Sequence, residues 1–91
     1  MEIRQLKYLV SVARRGSMRQ AADEHFVTQP AVSIQVKKLE EELGEKLLMR
    51  SGRRLVPTET GAYFIRQAED ILQRIETLQK TMQELKGLQS G

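Results

Sequence analysis

Apolar residues recur along this chain at changing spacings, and the changes mark its elements. Ile3, Leu6, Leu9, Val10 and Ala13 step by three and four residues, which lays them on one face of a helix. Gly16 is placed to end that helix, since a left-handed C-cap favours glycine. Ser17 follows as an N-cap with Gln20 three residues on, the capping-box spacing in which hydroxyl and amide each satisfy a free backbone N–H. A short helix from Met18 to about His25 carries Ala21 and Ala22, whose small side chains let another helix cross closely. After His25-Phe26-Val27 the chain turns again; Thr28 is an N-cap, and Pro30 falls in a first turn, where its missing N–H costs nothing. Val32, Val36, Leu39 and Leu43 keep the helical period up to Gly44 and leave Gln29, Ser33 and Lys37 on a separate polar face.

Beyond Leu47 the period shortens. Leu47-Leu48-Met49 and Leu55-Val56 flank Arg50-Ser51-Gly52-Arg53-Arg54, a small hairpin with a basic tip that Pro57 closes. Thr58 then caps a helix of about 25 residues, with Glu59 at its positive end. Phe64, Ala68, Ile71, Ile75, Leu78, Met82 and Leu85 alternate steps of four and three, a coiled-coil seam of about three heptads. Little sequence remains to cover that stripe, so the helix calls for a partner helix. Gly87 to Gly91 reads as a frayed end or a linker.

Two short helices joined by a tight turn, the second with a polar face, fit a helix-turn-helix. The usual turn glycine is missing, so Phe26 or a neighbour must make the bend. The pattern predicts a mainly α fold: three helices and a β-hairpin over residues 1–58, with the helix-turn-helix at about 18–37 and the hairpin at about 47–57. A long dimerising helix follows over 59–91. Ninety-one residues bury only a modest core, which again favours a second copy.

Charge narrows the partner. The net charge is +3, and eleven of the fifteen Lys and Arg precede Thr58 against seven of the twelve Asp and Glu. The first part thus carries +4 and the remainder −1, which places the basic character beside the motif. Four scattered aromatic rings, Tyr8, Phe26, Tyr63 and Phe64, make a poor stacking platform for single strands, so duplex DNA is the better partner. The absence of Cys removes disulfides, thiolate metal sites and cysteine nucleophiles. No stretch is apolar enough for a membrane span or a signal-peptide core, and a cytoplasmic location is expected. One histidine, no glycine-rich phosphate loop and no paired carboxylates in a cleft leave no catalytic constellation, so an enzyme is not expected.

The run Ala21-Ala22-Asp23-Glu24-His25-Phe26-Val27-Thr28-Gln29-Pro30-Ala31-Val32-Ser33 continues through Leu39-Glu40 and Leu43-Gly44 to Leu47-Leu48-Met49-Arg50, with Thr58-Glu59-Thr60-Gly61 beyond. It closely resembles the N-terminal signature of LysR-type transcriptional regulators over nearly the whole chain. The resemblance implies a winged helix-turn-helix, a linker helix that pairs antiparallel with its twin, and higher oligomers in a longer protein. It also implies that any small-molecule effector binds a separate C-terminal domain outside these residues, with no cofactor here. His25 and Leu48 stand where leucine and phenylalanine are common, Pro57 and Thr60 where leucine and alanine are usual, and Ile34 where many relatives carry a polar or basic residue.

On this reading Thr28, Gln29, Pro30, Ser33, Ile34 and Lys37 face the major groove, with Gln29 suited to base edges and Thr28 and Ser33 to phosphate. Ile34 offers an apolar contact to a thymine methyl. Arg50, Arg53 and Arg54 touch backbone or minor groove. The competing readings are plain ones: a solvated first turn for Gln29, Pro30 and Ser33, ion pairs of Lys37 and Lys38 with Glu41 and Glu42, and a solubilising turn for the arginines. Glu40-Glu41-Glu42 is expected on a solvated face, and His25 as a hydrogen-bonded core histidine. The rival from another class is a helical adaptor whose long helix pairs with a different protein.

Overall fold

The computed structural model describes residues 1–90, with side chains to Leu88. Its elements are α1 (Ile3–Arg15), α2 (Met18–Glu24), α3 (Gln29–Leu43), β1 (Leu48–Ser51), β2 (Arg54–Pro57) and α4 (Glu59–Ser90). Each boundary has a local cause. Gly16 ends α1 at φ 74° while its N–H donates to the Val12 carbonyl at 2.7 Å, and Gly44 ends α3 at φ 68°. Thr28 Oγ1 accepts from the Ala31 N–H at 3.3 Å, and Pro30 lies in the first turn. At Ser17 only half of the expected capping box forms. Its Oγ accepts from the Gln20 N–H at 3.2 Å, while Gln20 itself stays exposed. A side chain returns such a bond at the start of α1, where Gln5 Oε1 accepts from the Glu2 N–H at 2.9 Å.

The core gathers around α1, which packs on α2, α3, α4 and β2. It buries more than the single expected stripe, because Tyr8, Ser11 and Val12 are covered as well as Leu6, Leu9 and Val10. Ala21 and Ala22 meet it from α2, Val32, Val36 and Leu39 from α3, and Ile65 and Ala68 from α4. Polar clasps fix two of these crossings. Gln5 Nε2 donates to Gln35 Oε1 at 3.2 Å between α1 and α3. Ser11 Oγ and Arg15 Nε donate to Glu24 at 3.0 and 3.3 Å between α1 and α2. The Ser11 hydroxyl, helped by Arg15 and His25 against partial burial, holds the Glu24 carboxyl below its ordinary value.

A second joint forms where α3, the hairpin and α4 meet. Glu40 does not lie on a solvated face: its Oε2 turns back to accept from the Leu47 and Leu48 N–H groups at 2.8 and 3.3 Å. The Leu47 carbonyl accepts from the Thr58 N–H at 3.0 Å. Thr58 Oγ1 donates to the Lys46 carbonyl at 2.7 Å and accepts from the Gly61 N–H at 2.9 Å, which makes it the cap of α4. Gly61 is buried there, and a β-carbon on it would overlap the Leu47 carbonyl. Only glycine allows this approach of helix to loop.

α4 is longer than its seam alone predicts, 32 residues rather than about 25, and continues through Gly87 as helix rather than ending in a linker. At about 1.5 Å per residue it accounts for most of the 55 Å long axis of the molecule. The expectation for Gly91 lies outside the described residues.

Candidate nucleic-acid interface

The turn between α2 and α3 is pinned by three backbone bonds: His25 N–H to the Ala21 carbonyl, Phe26 N–H to Asp23 and Val27 N–H to Ala22, at 3.1, 3.2 and 3.0 Å. Phe26 takes the conformation of the missing glycine, with φ 57°. A bulky side chain rarely adopts it. Its ring stays 95% exposed while the next residue, Val27, packs on the core. His25 departs from expectation. It is half-buried, with its ring edge-on to Tyr8 at 5.2 Å, and its side chain makes no hydrogen bond among the described residues.

From this turn α3 presents Thr28, Gln29, Pro30, Ile34 and Lys37 to solvent. Ser33 stands partly apart from them: it is half-buried, and its hydroxyl donates to the Pro30 carbonyl at 3.3 Å. Its oxygen can still accept, but its proton is engaged. Lys37 and Lys38 are exposed and form no ion pair with Glu41 or Glu42 among the described residues. Both ammonium groups are therefore available to an external anion.

The hairpin pairs antiparallel from Leu48 opposite Pro57 to Ser51 opposite Arg54, and its tip turns on Gly52 at φ 64°. Besides the hold of Glu40 on Leu47 and Leu48, a long-range backbone bond sets its place: the Leu55 N–H donates to the Gly16 carbonyl at 2.9 Å. The end of α1 thus serves β2 as a second backbone partner, beside β1. The Arg54 guanidinium lies over Gly16, and Arg50, Arg53 and Arg54 are all exposed without an ion pair among the described residues. Gln29, Arg50 and Arg53 line a common cleft. Two isolated signals, a C-cap glycine and a strand leucine 39 positions apart, carry no sequence hint of the bond that holds the wing.

The seam divides. Ala68 is 2% exposed and Phe64 is half-buried, both packed against the chain's own core. Ile71, Leu78, Met82 and Leu85 are 46 to 61% exposed, and Ile75 is half-buried. No group of three or more His, Cys, Asp or Glu side chains among the described residues is arranged to hold a metal ion. None of the described helices is long and apolar enough to cross a membrane.

A short helix, a pinned turn, a second helix with an open polar face and a basic hairpin anchored beside it define a winged helix-turn-helix. Over residues 3–62 the chain matches the family described as bacterial regulatory helix-turn-helix protein, lysR family. The chain belongs to that family. It is 41% identical over 80 residues to the hydrogen peroxide-inducible genes activator of Pectobacterium carotovorum subsp. carotovorum, across 88% of this chain and 26% of that protein. It is 37% identical over 91 residues to the RuBisCO operon transcriptional regulator of Allochromatium vinosum, across 100% of this chain and 30% of that protein. The chain therefore spans between a quarter and a third of the length of these curated relatives.

Solved structures agree. The BenM DNA-binding domain in complex with catB site 1 DNA superposes with a TM-score of 0.90 at 34% identity, over 96% of this chain and 94% of that one. The CbnR DNA-binding domain bound to DNA does so with a TM-score of 0.85 at 38% identity, over 93% and 98%.

Proposed function

We propose that this chain binds specific double-stranded DNA as the DNA-reading part of a bacterial transcription regulator. Residues 1–58 form the reading unit and residues 59–91 the linker that joins it to a second copy. The observation that carries the reading is the single surface formed by the open face of α3 and the arginine hairpin, held beside it by the Leu55 to Gly16 bond. Uncommitted Lys37, Arg50, Arg53 and Arg54 supply the sequence-independent attraction to phosphate. Gln29 supplies an amide that makes two hydrogen bonds to a base edge, and Ile34 an apolar contact. The DNA-bound states of the BenM and CbnR domains support the same assignment. The protein acts in the cytoplasm without catalysis or a cofactor in this portion, and an effector is sensed by residues beyond it.

Selection of duplexes from a genomic fragment library, followed by anisotropy titration across a salt series, tests this. A selected site should bind at least about a thousandfold tighter than random duplex, and Gln29→Ala should reduce that ratio more than it reduces random binding. Ser33→Ala should lower both evenly and less, because Ser33 already donates within the helix. Equal affinity for every duplex would leave a non-specific DNA binder. No binding at all would favour a helical adaptor.

A further inference from the structure

One cleft joins three separate elements. Ser17 and Arg19 at the start of α2, Gln29 at the start of α3, and Arg50, Arg53 and Leu55 of the hairpin line a space of about 140 Å³. Three of its lining residues are arginines and none is a carboxylate. Arginines gathered around one opening with no carboxylate among the lining residues favour an anion there. The lining offers guanidinium, amide and hydroxyl groups, with no aromatic ring on which a base could stack. A cleft of about 140 Å³ that opens to solvent has room for a phosphodiester group.

We infer that this cleft grips one backbone phosphate of the duplex, and that Arg19, a residue with no part in the reading above, supplies the third cation. The inference rests on the DNA-binding reading and deepens it. In the free chain Arg19 donates to Asp23 Oδ2 at 3.3 Å, one helical turn on, with both side chains 69% exposed. An exposed pair of this kind contributes little, so its guanidinium exchanges the carboxylate for phosphate, a partner to which it binds through two parallel donors. Asp23 is then a weak competitor: it shares the Arg19 guanidinium in the free chain, and its charge opposes the phosphate that replaces it.

Arg19→Ala, Asp23→Asn and a control, Arg4→Ala, separate this contact from general loss of charge. Arg4 lies at the opposite end of α1 from Gly16. Affinity for one selected and one random duplex is measured between 50 and about 300 mM salt, with circular dichroism melting to confirm that each variant folds. One phosphate contact changes the slope of log affinity against log salt by about 0.9, which is about eightfold at 0.1 M salt relative to 1 M. Arg19→Ala should therefore weaken both duplexes about equally, close to eightfold at 0.1 M, and flatten the slope by about one. Arg4→Ala should leave the slope unchanged, and Asp23→Asn should tighten binding. An unaltered slope in Arg19→Ala, or equal flattening in Arg4→Ala, overturns the phosphate contact. Weaker or unchanged binding by Asp23→Asn overturns the exchange. Wild-type protein that binds neither duplex overturns the DNA reading itself, and the inference with it.

Discussion

The two halves of α4 obey one hydrophobic spacing and have opposite surroundings. Over its first three turns Ile65 and Ala68 are 8 and 2% exposed, and Gly61 is pressed against the Leu47 carbonyl. Further along, Leu78, Met82 and Leu85 repeat the same steps of four and three at 46 to 61% exposure. The near half is part of one chain's core. The far half is a row of apolar side chains that a single chain leaves in water, which a second helix would cover. A heptad pattern thus reports that a helix needs a partner and says nothing about whether that partner is α1 or another copy.

The largest expected effect comes from charging the far half. In Ile75→Asp with Leu78→Asp, four apolar side chains leave the paired interface, worth about 1 kcal/mol each at half burial, and four like charges replace them. Sedimentation should show monomers whose circular dichroism still reports α1 to α3 folded. A dimer of unchanged mass would mean that the copies meet elsewhere.

Breaking the near half should have the next largest effect, and a different one. Gly61→Ala places a methyl group where the Leu47 carbonyl lies, and overlap with backbone cannot be relieved by a rotamer change. A loss of about 3 kcal/mol is expected, read by urea denaturation of the whole chain. A loss below about 0.5 kcal/mol, the range of an ordinary surface change, would show that α4 can slide off Leu47 without strain.

Much of this architecture is legible in the order of residues alone. The caps at Gly16, Thr28 and Gly44, the hairpin between Leu47 and Pro57 and the start of α4 all follow from local chemistry, and local chemistry is what a sequence displays. Long-range closure is what it hides. Glu40 reads as one of three solvated acids because the return of Leu47 and Leu48 to the end of α3 depends on the path of the loop. The wing's bond from Leu55 to Gly16 spans 39 positions. Ser33 has the spacing of an exposed groove residue, yet its helix is rotated so that Pro30, Ile34 and Lys37 are more open. Gly87 reads as a stop, but a glycine inside a long helix lowers stability without ending it.

Glu40 sharpens the comparison, because it braces from α3 the same Leu47 joint on which α4 rests. Glu40→Ala leaves two backbone N–H groups without their acceptor, one of them in fully buried Leu47, and should cost about 2 kcal/mol. Glu40→Gln keeps an oxygen in place and should lose less than half as much. Equal losses in the two variants would show that the carboxylate charge, not the acceptor, is what matters.

The smallest effect, and the only one expected to stabilise, concerns Phe26. It shares with Leu78 and Met82 a large apolar surface in water, but it adds a left-handed backbone that they do not have. If exposure alone marked an unfilled interface, replacing any of these residues would change assembly and little else. Phe26 differs because its ring contributes nothing to the core while its Cβ strains the turn, a strain that asparagine tolerates far better. Phe26→Asn should therefore raise stability by about 0.5 to 1 kcal/mol, with the oligomeric state and the salt slope of DNA binding unchanged. The turn geometry is kept by the three bonds to Ala21, Ala22 and Asp23, none of which uses the ring. Denaturation midpoints of the two proteins decide it. A less stable Phe26→Asn chain would mean that the ring makes a stabilising contact, and a weakened dimer would place that contact on the second copy.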